Sequence, residues 1–126
     1  MLTKRRLFIN GQWCEGSLGE TRDVINPATE SAVALVCRAS ESDLERALDS
    51  TQAGFNIWSQ TSAWERSKIL TRCARTIEDR IPFLAKVMTL EQGKPLTESR
   101  GELDRTVDVF DWCAGEAIRA YGRLLP

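Results

Sequence analysis

The sequence predicts a mixed fold in which a β-rich region, residues 1–39, is followed by four α-helices, residues 40–126. Short apolar runs separated by turn residues indicate strands in the first part. In the second part, apolar residues recur three or four positions apart, which is typical of helices with one buried face. Capping sequences stand where two of these helices should begin. The length, 126 residues, is that of one ordinary domain.

A β-hairpin is predicted over residues 7–14, where Leu7-Phe8-Ile9 and Gln12-Trp13-Cys14 flank Asn10-Gly11. Asn-Gly suits a type I′ turn because both of its central residues need a positive φ angle. Residues 16–19 are predicted as a loop and residues 21–25 as a second strand region. After a turn at Asn26-Pro27, the apolar run over residues 32–37 predicts a buried strand.

The first two helices are predicted from capping boxes, in which side chains bond the free N–H groups of a helix start. Ser40 with Asp43 opens the first helix, and Ser62 with Glu65 opens the second. The first helix should carry an apolar stripe made of Leu44, Leu48, Thr51, Phe55 and Trp58, and the isolated chain is expected to expose apolar surface because such stripes would pack on a sheet outside it. The stripe expected for the second consists of Leu70, Cys73, Ala74, Ile77 and Ile81.

The third and fourth helices are separated by Gly93-Lys94-Pro95. Pro82 suits the first turn of the third helix, Gly93 should end it with a left-handed residue, and Pro95 prevents its continuation. The fourth helix is predicted from about Leu96 to Tyr121. Its apolar stripe comprises Leu96, Leu103, Val107, Phe110, Ala114, Ala117 and Tyr121. Residues 124–126, Leu-Leu-Pro, are predicted to lead into a further element.

The composition is that of a soluble protein, with 42% hydrophobic residues, 28% charged residues and a net charge of −1. A net charge near zero gives no electrostatic reason to expect nucleic acid or an anionic membrane as a partner. No apolar run approaches the roughly 20 residues of a membrane span, and no apolar signal-peptide segment follows the basic start. We therefore predict a cytoplasmic protein without nucleic-acid or membrane partners.

Several classes of active site are disfavoured by the residues themselves. The sequence has no histidine, which excludes Ser-His and Cys-His catalysis and histidine-metal sites. The four cysteines, at positions 14, 37, 73 and 113, form no Cys-x-x-Cys pair, so a structural zinc site is not expected. Four reduced cysteines, some of them in the core, are the favoured interpretation.

Two phosphate-binding motifs are also disfavoured. Gly93-Lys94 is not a phosphate loop, because Met88 stands where a glycine is needed and Pro95 where a Ser or Thr is needed. The dinucleotide fingerprint G-x-G-x-x-G is absent, and the nearest approach, Gly16 with Gly19, precedes no helical pattern. We predict no catalytic and no cofactor-binding residue in this chain.

Two other groups of residues have alternative interpretations. Asp104, Asp108 and Asp111 share one face of the fourth helix and could bind a divalent cation, although a solvated or interface face is favoured. Three of the four tryptophans, Trp58, Trp64 and Trp112, are predicted to pack in a core or an interface.

Five stretches, in this order, resemble the N-terminal part of the aldehyde dehydrogenase superfamily. They are LFINGQW, DVINPATES, ASESDLERALDSTQAGFNIWSQTSAWERSKIL, LEQGKPLTESRGEL and FDWCAGEAIRAYGRLLP. The resemblance covers residues 7–126. The last two stretches are most similar to succinate-semialdehyde and related semialdehyde dehydrogenases, and betaine-aldehyde dehydrogenases are similar but more distant.

The resemblance implies an α/β parent fold with a cofactor domain, a catalytic domain and an oligomerisation arm. Residues 1–126 would be the N-terminal segment of the cofactor domain, with the catalytic domain absent. In such enzymes a cysteine thiolate attacks the aldehyde, hydride passes to NAD or NADP, and a glutamate-activated water releases the acid. None of the four cysteines here lies in the family's nucleophile motif. The chain alone is therefore expected to bind no cofactor and to be inactive.

The partners implied by the resemblance are the remainder of an aldehyde dehydrogenase chain and further copies in a homo-oligomer. The alternative from another functional class is a non-enzymatic helical interaction or regulatory module.

The resemblance also implies a monovalent-cation site formed by the backbone carbonyls of Val24 and Ile25 and the carboxylate of Glu91, with a further ligand from beyond residue 126. Oxygen ligands suit a hard cation. As an alternative, Glu91 is an ordinary residue in the last turn of a helix.

Overall fold

A computed structural model describes residues 3–122 of the chain. Within them, strands come first and helices follow, which confirms the predicted order. The strands are β1 (Thr3–Arg5), β2 (Leu7–Ile9), β3 (Gln12–Cys14), β4 (Thr21–Asn26) and β5 (Ser31–Cys37). The helices are α1 (Glu41–Gln60), α2 (Ala63–Glu78), α3 (Ile81–Gln92) and α4 (Leu96–Ala117). Residues 124–126, predicted to lead into a further element, lie outside the described residues.

The chain divides into two compact units. The first comprises the described residues up to Ser59 together with Leu90–Gly93, and the second comprises Gln60–Thr89 together with the described residues from Lys94 onward. No helix within residues 3–122 combines the length and the apolar character that crossing a lipid bilayer requires.

The predicted hairpin is present as the antiparallel pair β2–β3. Asn10 and Gly11 have φ angles of 51° and 73°, as the type I′ turn requires. Phe8 lies opposite Trp13, and their ring centroids are 4.9 Å apart. Both rings are more than half exposed.

The second sheet has the strand order β1-β5-β4. β4 pairs with β5 in the antiparallel direction, whereas β1 pairs with β5 in the parallel direction. The sequence analysis missed β1, because three residues that read Thr-Lys-Arg show no apolar pattern. The ladder between β4 and β5 has a register irregularity between Val24 and Ile25.

Asp43 anchors the start of α1. The predicted capping box is formed, since Asp43 N–H donates to Ser40 Oγ (3.1 Å) and Ser40 N–H donates to Asp43 Oδ2 (2.9 Å). The same carboxylate accepts bonds from the Ser17 hydroxyl (2.6 Å), the Ser17 N–H (2.8 Å) and Arg46 Nη2 (2.6 Å). Asp43 is fully buried. Since these donors favour the charged form, the Ser17 hydroxyl first among them, the pKa of Asp43 lies far below its usual range.

The glycine beside this anchor makes a close backbone contact. A Cβ on Gly16 would lie 1.9 Å from the carbonyl oxygen of Arg38. A side chain at position 16 would therefore push the loop that carries Ser17 away from Asp43.

The apolar stripe of α1 is largely exposed within the described residues. Leu44, Leu48 and Phe55 are 53–62% exposed, and Trp58 is 39% exposed. The helix itself is present, so the periodicity identified its apolar face correctly. Periodicity does not show whether another part of the protein covers that face.

In the second unit, α2 and α4 pack against each other. The centres of the predicted stripes are confirmed, since Ala74, Leu103, Val107 and Ala114 are buried. The predicted end of α4 is wrong, because the helix ends at Ala117. Of the outermost residues of its predicted stripe, Leu96 is 39% exposed and Tyr121 is 92% exposed.

Ion pairs and a cap fix the helices of this unit. Arg75 donates to Asp111 on α4 and to Glu78 on its own helix, both at 2.6 Å. The predicted cap of α2 is also formed, because Ser62 Oγ accepts the N–H of Glu65 at 3.2 Å.

Candidate functional site

The turn that follows β4 is held by its own hydrogen bonds. Asn26 is buried, and its side-chain Oδ1 accepts the N–H of Ala28 at 2.9 Å. The carbonyl of Asn26 accepts the N–H groups of Thr29 (3.2 Å) and Glu30 (2.8 Å). These bonds fix the chain immediately after Val24 and Ile25.

The end of α3 lies against this turn. Gly93 ends the helix as predicted, with a φ of 72°. A Cβ on Gly93 would lie 2.8 Å from Cγ of Pro27 and 3.3 Å from the backbone nitrogen of Ala28. The missing side chain of Gly93 therefore allows the last turn of α3, which carries Glu91, to approach the end of β4.

The predicted cation ligands lie in the two segments that meet here. Val24 is half-buried, Ile25 is 47% exposed, and Glu91 is exposed. A register irregularity in a ladder leaves some backbone groups without a regular partner, and this one falls between Val24 and Ile25. The last carbonyls of a helix also lack intrahelical partners and carry partial negative charge. The oxygen atoms near this junction suit a hard cation.

Other charged residues do not form the sites considered for them. The side chain of Lys94, the residue of the disfavoured phosphate loop, is only 17% exposed and forms an ion pair with Glu102. Asp111 is paired with Arg75. Among residues 3–122, no three His, Cys, Asp or Glu side chains stand close enough to hold a metal ion. This finding contradicts the divalent-cation alternative for Asp104, Asp108 and Asp111.

The tryptophans are not core residues of the described chain. Trp58, Trp64 and Trp112 are 39%, 67% and 71% exposed, so none of the three is buried within residues 3–122. Of the cysteines, Cys37 is buried and Cys113 is exposed. The other two, Cys14 and Cys73, have intermediate exposure, and all four carry free thiols.

The sequence analysis missed Ser17 as a partner of Asp43. The signal for a capping box is local and identifies Ser40 with Asp43, but Ser17 lies 26 residues away along the chain. Only the fold brings this loop residue to the helix start.

Sequence comparison matches a model of the aldehyde dehydrogenase family to residues 13–126. A succinate semialdehyde dehydrogenase of Acinetobacter baylyi is 33% identical over 99% of this chain and 26% of its own length. A 3-sulfolactaldehyde dehydrogenase of Pseudomonas putida is 37% identical over the same shares. The chain thus spans about a quarter of the length of these relatives.

Solved structures of aldehyde dehydrogenases are also similar to nearly the whole chain. A betaine aldehyde dehydrogenase of Staphylococcus aureus in complex with NAD+ superimposes with a TM-score of 0.92 at 33% identity, over 97% of this chain and 25% of that one. An NAD-dependent aldehyde dehydrogenase of Sinorhizobium meliloti superimposes with a TM-score of 0.92 at 27% identity, over 98% and 25%.

Proposed function

Since this chain belongs to the aldehyde dehydrogenase family, we propose that residues 1–126 are the N-terminal segment of the cofactor domain of an NAD(P)-dependent aldehyde dehydrogenase. The observation that carries the proposal is the similarity of nearly the whole chain, in sequence and in fold, to about a quarter of complete enzymes. The whole protein would oxidise an aldehyde to a carboxylic acid in the cytoplasm, and its catalytic domain would lie outside these residues.

The proposed substrate is a semialdehyde. Relatives at 33–35% identity are named for the semialdehydes of succinate, malonate and glutarate. Each of these molecules has a carboxylate at the end opposite the aldehyde. An aldehyde with an anionic end is therefore the substrate class that the relatives favour.

The 126-residue chain alone is proposed to be inactive. Its residues do not fit a dinucleotide, because the sequence has neither the glycine-rich fingerprint nor a phosphate loop. It also has no histidine to act as a general base. The nicotinamide cofactor and the reaction would depend on the rest of the enzyme.

The proposed partners are the remainder of the enzyme chain and further copies in a homo-oligomer. The α1 stripe (Leu44, Leu48, Phe55 and Trp58) supports this proposal, since all four side chains are exposed. Contiguous apolar surface of this kind marks an interaction site. In isolation the chain should bind a polarity-sensitive dye at this stripe, and a folded chain without dye binding would contradict this part of the proposal.

A monovalent cation is proposed at the junction between β4 and α3, held by the carbonyls of Val24 and Ile25 and by Glu91. The support is the contact of Gly93 with Pro27 and the irregular ladder beside Val24. Glu91 forms no ion pair within residues 3–122, so its carboxylate is available to balance the charge of a cation.

To test the cation proposal, the melting temperature of the protein is measured in potassium chloride and in the chloride of a large organic cation, and the two values are compared. Potassium should stabilise the protein, and Glu91→Gln should remove the difference. Glu98→Gln is the matched control, because Glu98 is also an exposed helical carboxylate without an ion pair in the described chain. An equal effect of potassium on all three proteins would refute the site.

The functional proposal is tested by a chimaera in which these 126 residues replace the matching part of the Acinetobacter baylyi succinate semialdehyde dehydrogenase. The chimaera should fold and reduce NAD+ or NADP+ when given succinate semialdehyde, as followed by absorbance of the reduced nicotinamide. A chimaera that is folded but inactive, beside an active parent enzyme, would refute the assignment to the cofactor domain.

The same assay on the 126-residue chain alone should show no turnover, and calorimetry should show no binding of NAD+. Turnover by the isolated chain would contradict the proposal that the reaction depends on the rest of the enzyme. If the gene has a stop codon after position 126 and the chain is stably produced, the alternative of a non-enzymatic regulatory module is favoured instead.

A further inference from the structure

Three residues on the outer face of α2 form what we term the α2 row: Trp64, Lys68 and Arg72. They are four positions apart, so they follow one another along one side of the helix over about 12 Å. All three line one open groove of about 810 Å³. Trp64 is 67% exposed, and within residues 3–122 neither Lys68 nor Arg72 forms an ion pair.

One carboxylate shares this groove. Glu65 also lines it, but its Oε2 accepts the hydroxyl of Ser62 at 3.0 Å as part of the helix cap. The groove therefore presents an exposed aromatic ring, two cations without an ion pair in the described chain, and one carboxylate held at the helix cap.

The outer face of α4 carries a second set, the α4 row: Asp104, Asp108 and Trp112. The spacing is again four residues, and the length is again about 12 Å. Trp112 is 71% exposed, and both aspartates are exposed. No ion pair involves either aspartate in the described part of the chain.

The two rows are complementary when their helices run in opposite directions. Trp64 then meets Trp112, Lys68 meets Asp108, and Arg72 meets Asp104. Aromatic rings and opposite charges attract at such distances. In the parallel orientation one of the two ion pairs would be lost, since Trp64 would face Asp104 and Arg72 would face Trp112.

We propose that the α2 row of one copy of this chain docks, antiparallel, on the α4 row of a second copy. Within one copy the two helices already contact each other through a different residue, Asp111, which binds Arg75. That intramolecular contact leaves both rows exposed. Because each chain carries one row of each kind, every copy can offer both halves of the contact. This inference depends neither on the cation site nor on enzymatic activity.

The test uses charge reversal and sedimentation of the 126-residue chain over a range of micromolar concentrations. Lys68→Glu with Arg72→Glu should weaken association at least about tenfold, because like charges would then face each other. Asp104→Lys with Asp108→Lys should do the same. An equimolar mixture of the two variants should associate as the unaltered chain does, because the reversed rows attract each other again.

A matched control is available in the same unit. Lys86→Glu with Arg80→Glu changes the net charge by the same amount at exposed residues outside both rows, and it should leave association unchanged. Raising the salt from about 50 mM to about 500 mM should weaken association of the unaltered chain, because it shortens the screening length. Circular dichroism checks that each variant is folded.

Three outcomes would overturn the proposal. The first is an unaltered chain that stays monomeric throughout the concentration range. The second is association that survives both charge reversals, which would place the contact elsewhere, for example on the α1 stripe. The third is a mixture of folded variants that fails to reassociate. None of these outcomes bears on the proposed dehydrogenase role, which the chimaera tests separately.

Discussion

Replacing Gly93 by alanine tests the junction between α3 and the turn after β4. Gly93 has a φ of 72°, a conformation that costs a residue with a side chain about 1–2 kcal/mol. The added Cβ would also lie 2.8 Å from Cγ of Pro27, and overpacking of this kind costs about 1–3 kcal/mol. The smaller entropy of the unfolded alanine chain offsets about 0.4–1 kcal/mol. The expected net loss of stability is about 1–4 kcal/mol.

Gly54→Ala is the matched control. Gly54 lies inside α1 in the same unit, and a Cβ there meets no atom within 4 Å. Alanine should therefore stabilise the helix by about 0.5–1 kcal/mol. The two substitutions are chemically identical, but their effects are expected to have opposite signs.

Urea unfolding followed by circular dichroism measures both effects. Gly93→Ala should lower the midpoint by roughly 0.5–2 M, given the usual dependence of unfolding free energy on urea, and Gly54→Ala should raise it. Adding Pro27→Ala to Gly93→Ala should recover part of the loss, because it removes the nearest atom. If Gly93→Ala does not lower the midpoint, or if adding Pro27→Ala recovers none of the loss, then the contact between residues 93 and 27 is wrong, and the cation proposal loses its main support.

Three further predictions concern stability. Asp43→Asn should destabilise the protein at neutral pH, and this loss of stability should shrink below about pH 4. The pKa of Asp43 is lower in the folded protein than in the unfolded chain, so the charged carboxylate stabilises the fold at pH values above the unfolded pKa. That stabilisation is lost as the pH falls toward the folded pKa. Ser62→Ala should cost about 1 kcal/mol through the lost cap of α2, whereas Ser67→Ala on the same helix should change stability by less than about 0.5 kcal/mol. Leu103→Ala should cost about 2–5 kcal/mol because Leu103 is buried, whereas Val109→Ala, at an exposed position of the same helix, should be nearly neutral.

Urea midpoints measured across pH for Asp43→Asn, and at neutral pH for the other variants, check these values. An Asp43→Asn effect of equal size at pH 7 and pH 3 would show that the carboxylate charge is not what stabilises the α1 start. Equal losses of stability for Ser62→Ala and Ser67→Ala would mean that the effect of Ser62→Ala does not come from the lost helix cap. A Leu103→Ala variant as stable as Val109→Ala would mean that α2 and α4 do not pack as described.

Local signals in the sequence were sufficient for most elements. The Asn10-Gly11 turn, the caps at Ser40 and Ser62, and the stop at Gly93 each depend on neighbours a few residues away, and all are present. Contacts between distant residues left no comparable signal. β1 pairs with a strand about 30 residues later, and nothing in its three residues indicates that partner.

The end of α4 shows a different limit. Tyr121 continues the apolar spacing after the helix has ended. The pattern therefore predicted a helix that extends beyond its last residue, Ala117. The candidate cation site was found through resemblance alone, because a backbone carbonyl carries no sequence signal. The contact of Gly93 with Pro27, which supports the site, is a tertiary contact that the sequence does not specify.

The interior of the described chain explains why so many apolar side chains are exposed. Its largest fully buried side chains are those of Asp43 and Ser99, and its other fully buried side chains are small alanines, Ala74 and Ala85. Small side chains allow helices to approach closely, but they remove little apolar surface from water. The large apolar side chains of the α1 stripe, together with Trp64 and Trp112, are therefore left exposed within residues 3–122. The proposed remainder of the enzyme and the proposed second copy are the two kinds of polypeptide that would bury them.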